Sequence, residues 1–172
     1  RSRGVPIGKD SLHQMLAHLE DAFLLGSVAL ATDSVRRRQV NPRKVYPVDT
    51  GLMAVFDKSG KPNAGHALET AVLHELKRRG AEVSYVRTSS GFGVDFHAAL
   101  PDGQHWLVQV CLDVGDAQTL AREVRALQEA QTDWPQARLM LVALFAPPVT
   151  AVPAPIELHR ASHWLLEAPT PS

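Results

Sequence analysis

The sequence has one cysteine, Cys111, among its 172 residues. A disulfide needs a second cysteine, and the common zinc sites need cysteines and histidines at short, regular spacings that this chain does not have. Its longest apolar run, Leu139 to Ala146, has eight residues, whereas a membrane-spanning helix needs roughly 18. No signal peptide opens the sequence. These absences predict a cytoplasmic protein without a membrane partner.

The chain also lacks net charge, because its 18 lysines and arginines balance its 18 aspartates and glutamates. The charges are unevenly distributed, however. Residues 1–61 hold ten basic and six acidic side chains, whereas the remainder holds eight basic and twelve acidic ones. This asymmetry predicts two units with different roles, of which only the first is suited to contact phosphate groups.

The first unit begins with apolar residues at the spacing of an amphipathic helix, from Leu12 to Phe23. Residues 23–31 are then predicted to form a strand, 32–43 a polar basic connection and 44–48 a second strand. Asp49 is expected to start a short helix by accepting hydrogen bonds from backbone amides. A helix followed by a basic hairpin is typical of a winged helix. We therefore predict a winged-helix-like unit over residues 1–58.

A second unit is predicted over residues 62–172. Glycine, proline, serine and asparagine gather in residues 57–65, which places the boundary there. The remaining sequence reads as a helix, three strands, a helix and two further strands, with a continuous apolar strand beginning near Ala137. This order predicts an α/β fold.

The element order resembles the core of the restriction-endonuclease-like fold of the PD-(D/E)xK nucleases. Polar residues also occupy the positions where that family keeps its chemistry, on the first helix and on the second and third strands. The third strand reads Gln-Val-Cys where the family would have acid-x-Lys. The candidate catalytic residues that follow from this resemblance are Glu69, Asp95, Gln109 and Cys111.

Two longer stretches, "KVYPVDTGL" and "ALETAVLHELKRRG", resemble the C-terminal region found behind the ATPase module of many prokaryotic AAA+ type ATPases. This resemblance covers nearly the whole chain, and it implies that a P-loop ATPase precedes these residues in a longer protein. The stretch from Gly4 to Asp10 is not that P-loop. It has three residues between its glycines, one fewer than the motif, and an aspartate where serine or threonine should hold magnesium. We therefore expect ATP to bind the preceding ATPase module that the resemblance implies, and not these residues.

In the nuclease family, as the resemblance has it, carboxylates hold Mg²⁺ and a lysine stabilises charge at the scissile phosphate. Glu69 and Asp95 could still ligate the metal. Gln109 offers an oxygen without charge, and Cys111 offers a thiol with an ordinary pKa near ~8.5, which is mostly neutral and cannot replace an ammonium group. We therefore expect these residues to be the remains of a nuclease site. An active centre and unrelated polar positions are the alternatives.

Two further conditions apply to this site. Lys77 lies roughly 12 Å along the helix from Glu69, too far to replace the missing lysine, and Arg122 is a possible substitute. Asp95 shares a sheet face with Gln109 only if facing residues on the two strands have numbers of the same parity, because side chains alternate. A register that paired Asp95 with Val110 would exclude the site.

The basic connection of the first unit is the candidate nucleic-acid-binding segment. With the first residue of the following strand, it places five cations within the nine residues from Arg36 to Lys44. The preceding helix offers one side chain that commonly reads bases, Gln14. The alternatives are that these cations keep the surface solvated, or that they dock onto the acidic second unit or the missing ATPase. The candidate DNA-binding residues are Gln14, Arg36, Arg37, Arg38, Arg43 and Lys44.

The function predicted from the sequence is a non-catalytic C-terminal module of a AAA+ type ATPase that binds DNA or a protein partner. Its expected partners are the ATPase module of the full-length protein and DNA, and it needs no cofactor of its own. The alternative is a metal-dependent nuclease, which would use Mg²⁺.

Overall fold

The computed structural model describes residues 8–56, 63–147 and 150–167, with the backbone alone at residues 9 and 54–56. The predicted domain boundary falls largely on residues 57–62, outside the described part. Most of the P-loop-like stretch lies outside it as well.

The second unit is built on a mixed five-stranded sheet with the strand order β3-β4-β5-β6-β7. The first three strands are consecutive and run antiparallel, whereas β6 and β7 are added parallel to β5. Parallel neighbours need a crossover, which a helix between β5 and β6 provides. The strands are β3 (Glu82–Arg87), β4 (Gly93–Ala99), β5 (His105–Asp113), β6 (Arg138–Phe145) and β7 (Glu157–Arg160).

Helices cover both faces of this sheet. On one face, α4 (Ala64–Arg78) packs its apolar side against a cluster that includes Val108 and Val110 of β5. On the other face, α5 (Ala117–Ala130) packs against a cluster that includes Leu107 and Cys111. Because alternate residues of a strand point to opposite faces, β5 and β6 need apolar side chains at almost every position. A short helix, α6 (Ala161–Trp164), closes the described chain.

The element order of this unit is the one predicted, so the prediction of a mixed α/β fold is confirmed.

The first unit contains a two-stranded antiparallel sheet of β1 and β2, in which Leu25 faces Pro47. Its buried side chains Val28, Leu30 and Tyr46 belong to the same core cluster as the apolar side of α4. Leu30 also forms a parallel bridge with Tyr85 of β3. The two units therefore share one hydrophobic core. The elements of the first unit are α1 (Lys9–Asp21), β1 (Leu25–Val28), α2 (Val35–Val40), β2 (Lys44–Pro47) and α3 (Gly51–Phe56).

The basic connection between β1 and β2 contains a helix, α2, which corrects the sequence prediction of a loop. Ser34 caps this helix, because its Oγ accepts a hydrogen bond from the backbone N–H of Arg37 at 3.3 Å. A serine followed by arginines and a glutamine is a helix-start pattern, and the charge of the segment concealed it. The strand predicted over residues 23–31 is also shorter, at four residues. The expected turn at Asp49 is present, since its Oδ1 accepts from the N–H of Gly51 at 2.7 Å.

The helix predicted at the start is α1, but much of its apolar side is exposed. Leu12, Met15 and Leu19 are 56%, 52% and 37% exposed, and Phe23, just beyond the helix, is 81% exposed. We call these four side chains the α1 apolar face. Amphipathic helices ordinarily bury such a face against their own core. In this chain the described residues leave the face exposed.

Phe23 holds an uncommon backbone conformation, with φ at 55°. Its N–H donates to the carbonyl of Glu20 and the N–H of Leu24 donates to that of Leu19, which is the hydrogen-bond pattern of a Schellman C-cap. Glycine usually fills this left-handed position, because a side chain there costs roughly 1–2 kcal/mol. An exposed aromatic residue therefore stands at a position where it destabilises the free protein.

Replacing Phe23 with glycine is expected to raise the melting temperature by about 2–4 °C. The change relieves left-handed strain of about 1 kcal/mol, and little buried area is lost because the side chain is already exposed. Differential scanning calorimetry measures the shift. The control is Ala22→Gly, whose φ of −80° is not strained and which should lower the melting temperature. A lower melting temperature for the Phe23→Gly variant would contradict the strain assignment.

In the part of the chain that the structure describes, the helices are too short or too polar to cross a lipid bilayer.

Candidate functional site

Asp95 and Gln109 lie side by side on β4 and β5. The register pairs Phe96 with Val108, so residues of the same parity face each other and the condition set by the sequence is met. Beyond Phe96 and Val108, hydrogen bonds from the side chains of Asp95 and Gln109 link the two strands. The carboxylate Oδ2 of Asp95 accepts from the N–H of Val110 at 3.0 Å, and Gln109 Oε1 accepts from the N–H of Asp95 at 3.2 Å.

Glu69 reaches the same place from α4. Its Oε2 accepts a hydrogen bond from the hydroxyl of Tyr46 at 3.0 Å. Burial raises the pKa of Glu69 above its ordinary value, and the nearby charge of Asp95 adds to the increase, while Lys44 opposes it. Burial also raises the pKa of Tyr46, as do the charges of Glu69 and Asp95. The Tyr46 hydroxyl therefore stays protonated and remains a donor.

Lys44 supplies a cation to these carboxylates from the first unit. Its Nζ lies 2.7 Å from Asp95 Oδ1 and 3.9 Å from Glu69 Oε2. Lys44 and Tyr46 are two residues apart on β2, so both side chains project from the same face of the strand toward α4 and β4. The Asp95 side chain is 13% exposed and that of Lys44 is 35% exposed, so water screens this ion pair only in part.

The position of Lys44 corrects two inferences from the sequence. Lys44 was grouped with the DNA-binding cations, but its ammonium group points into the second unit. The site also has a cation, although Cys111 does not provide one. Lys44 therefore agrees with the alternative stated above, in which the cations of the first unit dock onto the acidic second unit.

A third acid, Glu123 of α5, joins the site and was missed in the sequence. Its Oε2 accepts from Gln109 Nε2 at 2.7 Å, and its Oε1 accepts from the guanidinium of Arg122 at 3.1 Å. An acidic residue on an amphipathic helix is usually expected at the surface, yet the side chain of Glu123 is buried. Arg122 thus pairs with Glu123, and its side chain is 65% exposed. These side chains line a cavity of about 320 Å³ together with Glu69 and Asp95.

Cys111 stands apart from this polar group. Its side chain is buried in the apolar cluster beneath α5, and its Sγ donates to the carbonyl of Asp113 at 3.2 Å. Burial raises the pKa of the thiol above its ordinary value. The thiol is therefore neutral at pH 7 and contributes packing without charge.

Three oxygens of this site are already engaged. Lys44 and the N–H of Val110 take the two oxygens of Asp95, and the N–H of Asp95 takes the amide oxygen of Gln109. Mg²⁺ requires several free oxygen ligands in near-octahedral geometry. Among the described residues, no group of three or more His, Cys, Asp and Glu side chains is arranged to hold a metal ion. The residues as arranged do not fit a bound divalent ion.

The other candidate DNA-binding residues are exposed on the first unit. Arg38 Nη2 donates to the carbonyl of Thr32 at 2.6 Å, and Arg43 Nη1 donates to Ser27 Oγ at 3.2 Å. Arg36 and Arg37 are exposed on α2, and Gln14 is exposed on α1. The four arginines of the basic segment, Arg36, Arg37, Arg38 and Arg43, are therefore all exposed.

Comparison with known proteins gives little further information. The chain is similar to the uncharacterized protein MJ1544 of Methanocaldococcus jannaschii, with 30% identity over 132 residues. The match covers 74% of this chain and 28% of the archaeal protein, so the chain spans about a quarter of that relative. No family model matches the chain. No solved structure matches it significantly.

Proposed function

We propose that this chain is a non-catalytic module of a AAA+ type ATPase, built on a degenerate PD-(D/E)xK-like domain, and that it binds a protein partner. The observation that carries the proposal is the position of Lys44, whose ammonium group lies 2.7 Å from Asp95 and 3.9 Å from Glu69. These are the carboxylates that a nuclease of this type would use for its metal. Here they bind a lysine of the same chain.

The chemistry of the site supports a structural role for it. One ammonium group faces two carboxylates, and Tyr46 donates to one of them. Each contact joins the first unit to the second, so the former catalytic position now holds β2 against the sheet. The ammonium group between these carboxylates also weakens the attraction that a cation would feel there, because its positive charge offsets one of the two negative charges.

The α1 apolar face supports binding of a protein in preference to DNA. Exposed leucine, methionine and phenylalanine side chains are typical of protein interfaces, whereas DNA interfaces are rich in cations. Phe23 adds to this argument, because a strained and exposed aromatic side chain is explained by a contact in a complex. The archaeal relative fits a modular role, since its matched part is 28% of a longer protein.

The decisive experiment is a metal titration followed by calorimetry. Mg²⁺ or Mn²⁺ at about 5 mM is expected to move the melting temperature by less than about 1 °C, because Lys44 occupies the carboxylates. If the dissociation constant of the ion were a hundredth of that concentration, binding would add about 2.7 kcal/mol to the free energy of unfolding and raise the melting temperature by several degrees. Such a shift, if lost in Glu69→Ala and Asp95→Ala and kept in the exposed-acid control Asp21→Ala, would overturn the proposal.

A metal-dependent nuclease is the second candidate, and Lys44 is also the observation that favours it. A phosphate that drew Lys44 away from Asp95 and Glu69 would free both carboxylates for a metal ion, and the ammonium group could then stabilise the charge of the phosphate in place of the lysine that the third strand lacks. The two candidates differ in a plasmid-cleavage assay with Mn²⁺. The nuclease requires cutting that Lys44→Ala and Asp95→Ala abolish and that Arg37→Ala leaves intact, whereas the non-catalytic module cuts in none of these forms.

A further inference from the structure

A second cavity, of about 620 Å³, lies on the other side of β4 from α4. Its walls come from the segment that follows β1, from β3 and β4, and from the turn after α5. It shares no lining residue with the cavity at Glu69 and Asp95. Its volume falls in the range of roughly 300–1,000 Å³ that is usual for small-molecule sites. The lining residues that bear on its chemistry are Asp33, Arg38, Glu82, His97, Asp133 and Trp134.

One wall of this cavity is aromatic. The rings of His97 and Trp134 have centroids 5.1 Å apart, and the ring of His105 stacks with that of His97 at the same centroid distance. His97 Nε2 and His105 Nδ1 are 2.9 Å apart, and Ser84 Oγ lies 3.3 Å from His97 Nδ1. Burial, together with the neighbouring His105, lowers the pKa of His97 to about 4. The wall is therefore a neutral π surface at pH 7.

The charges around this wall are mostly negative. Asp33, Glu82 and Asp133 are exposed acids that line the cavity, against Arg38 as the lining cation. The guanidinium group of Arg38 donates to the carbonyl of Thr32, which also lines the cavity, at 2.6 Å. The rim thus already accommodates one guanidinium group of the chain itself. A further cation gains attraction both from the acids and from the face of Trp134.

We propose that this cavity binds a small organic cation that carries a planar guanidinium group. Such a group stacks on aromatic rings and pairs with a carboxylate through two parallel hydrogen bonds, which an ammonium group cannot do. Its source is either a free metabolite or the arginine side chain of a partner protein. The inference does not depend on the proposed function, since the two cavities share no residue.

The test is isothermal titration calorimetry of the whole chain with agmatine, which carries a guanidinium group on a short aliphatic amine. We expect a dissociation constant of about 1 mM or lower, as the few atoms of the probe allow. Putrescine, with ammonium groups alone, should bind at least about fivefold more weakly. The peptide Gly-Arg-Gly distinguishes the two sources: tighter binding than agmatine assigns the site to a partner's arginine, and weaker binding assigns it to a free metabolite.

Two variants connect binding to this cavity. Trp134→Leu and Asp133→Asn should each weaken agmatine binding about tenfold, while Asp21→Asn on α1 should leave it unchanged. Asp133→Asn keeps size and shape, so it remains informative if Trp134→Leu does not fold. Absence of agmatine binding at 10 mM, on the order of ten times the expected dissociation constant, would overturn the proposal. So would equal binding by both cavity variants and the wild type.

Discussion

Lys44→Met is expected to lower the melting temperature by about 4–8 °C. The change leaves Asp95 and Glu69 close together without their cation, in a position that water reaches only in part. Removing one partner of a fully buried ion pair costs roughly 3–5 kcal/mol. Because the Lys44 side chain is 35% exposed, we expect about 2 kcal/mol, and each kcal/mol corresponds to about 2–4 °C in a chain of this size.

A double-mutant cycle separates the ion pair from the loss of the lysine's aliphatic packing. Asp95→Asn keeps an oxygen that can accept from Val110, and in the Lys44→Met background it should restore about 1 kcal/mol by removing the unpaired charge. The matched control is Arg37→Met on α2, an exposed cation whose loss should change the melting temperature by less than about 1 °C. A Lys44→Met variant as stable as the Arg37→Met variant would show that Lys44 does not join the units.

Acidification from pH 7 to pH 4 is expected to cost about 1–2 kcal/mol through His97 alone, because water reaches the half-buried ring and reduces the effect of the pKa shift. Its pKa is about 4 in the folded chain, against an ordinary value of 6.5. Between these values the unfolded chain binds more protons than the folded one, so this stabilisation is fully present above pH 6.5 and is lost as the pH falls toward 4. The physical cause is burial of the ring, followed by the presence of His105.

Urea unfolding at several pH values measures this loss. Other groups titrate in the same range, and the raised pKa of Glu69 acts in the opposite direction, since it favours the folded state at low pH. The comparison is therefore between the wild type and His97→Gln, which should lose less stability between pH 6.5 and pH 4. His163→Gln on α6, an exposed histidine, should follow the wild type. Parallel curves for the wild type and His97→Gln would refute the assignment.

The sheet could be predicted from the sequence because its signals are local. Alternation, turn residues and helical spacing each act over a few positions, and together they gave the order of elements from α4 to β7. The contact between Asp95 and Gln109 required only the register of neighbouring strands, which was stated as a condition and is met. α2 was missed because three arginines were interpreted for their charge and not for their helix propensity.

Lys44 and Glu123 could not be placed in the site for a different reason. Alternation puts Lys44 and Tyr46 on one face of β2, but it does not show what that face meets, and Asp95 is 51 residues away in the chain. Glu123 has the spacing of a buried residue, three positions before Ala126 and four before Leu127, but spacing alone does not show that it meets Gln109. The exposure of the α1 apolar face could not be predicted either, because an amphipathic pattern does not show whether another part of the same chain covers the apolar side.

The shared core has a consequence for how the chain can be divided. A polypeptide that began after residue 62 would leave the side of α4 that meets Val28, Leu30 and Tyr46 open to water. It would also leave Glu69 and Asp95 without an ammonium group. Each half would then carry the surface that the other half needs. We expect the two halves, co-expressed as separate polypeptides, to associate through this shared core.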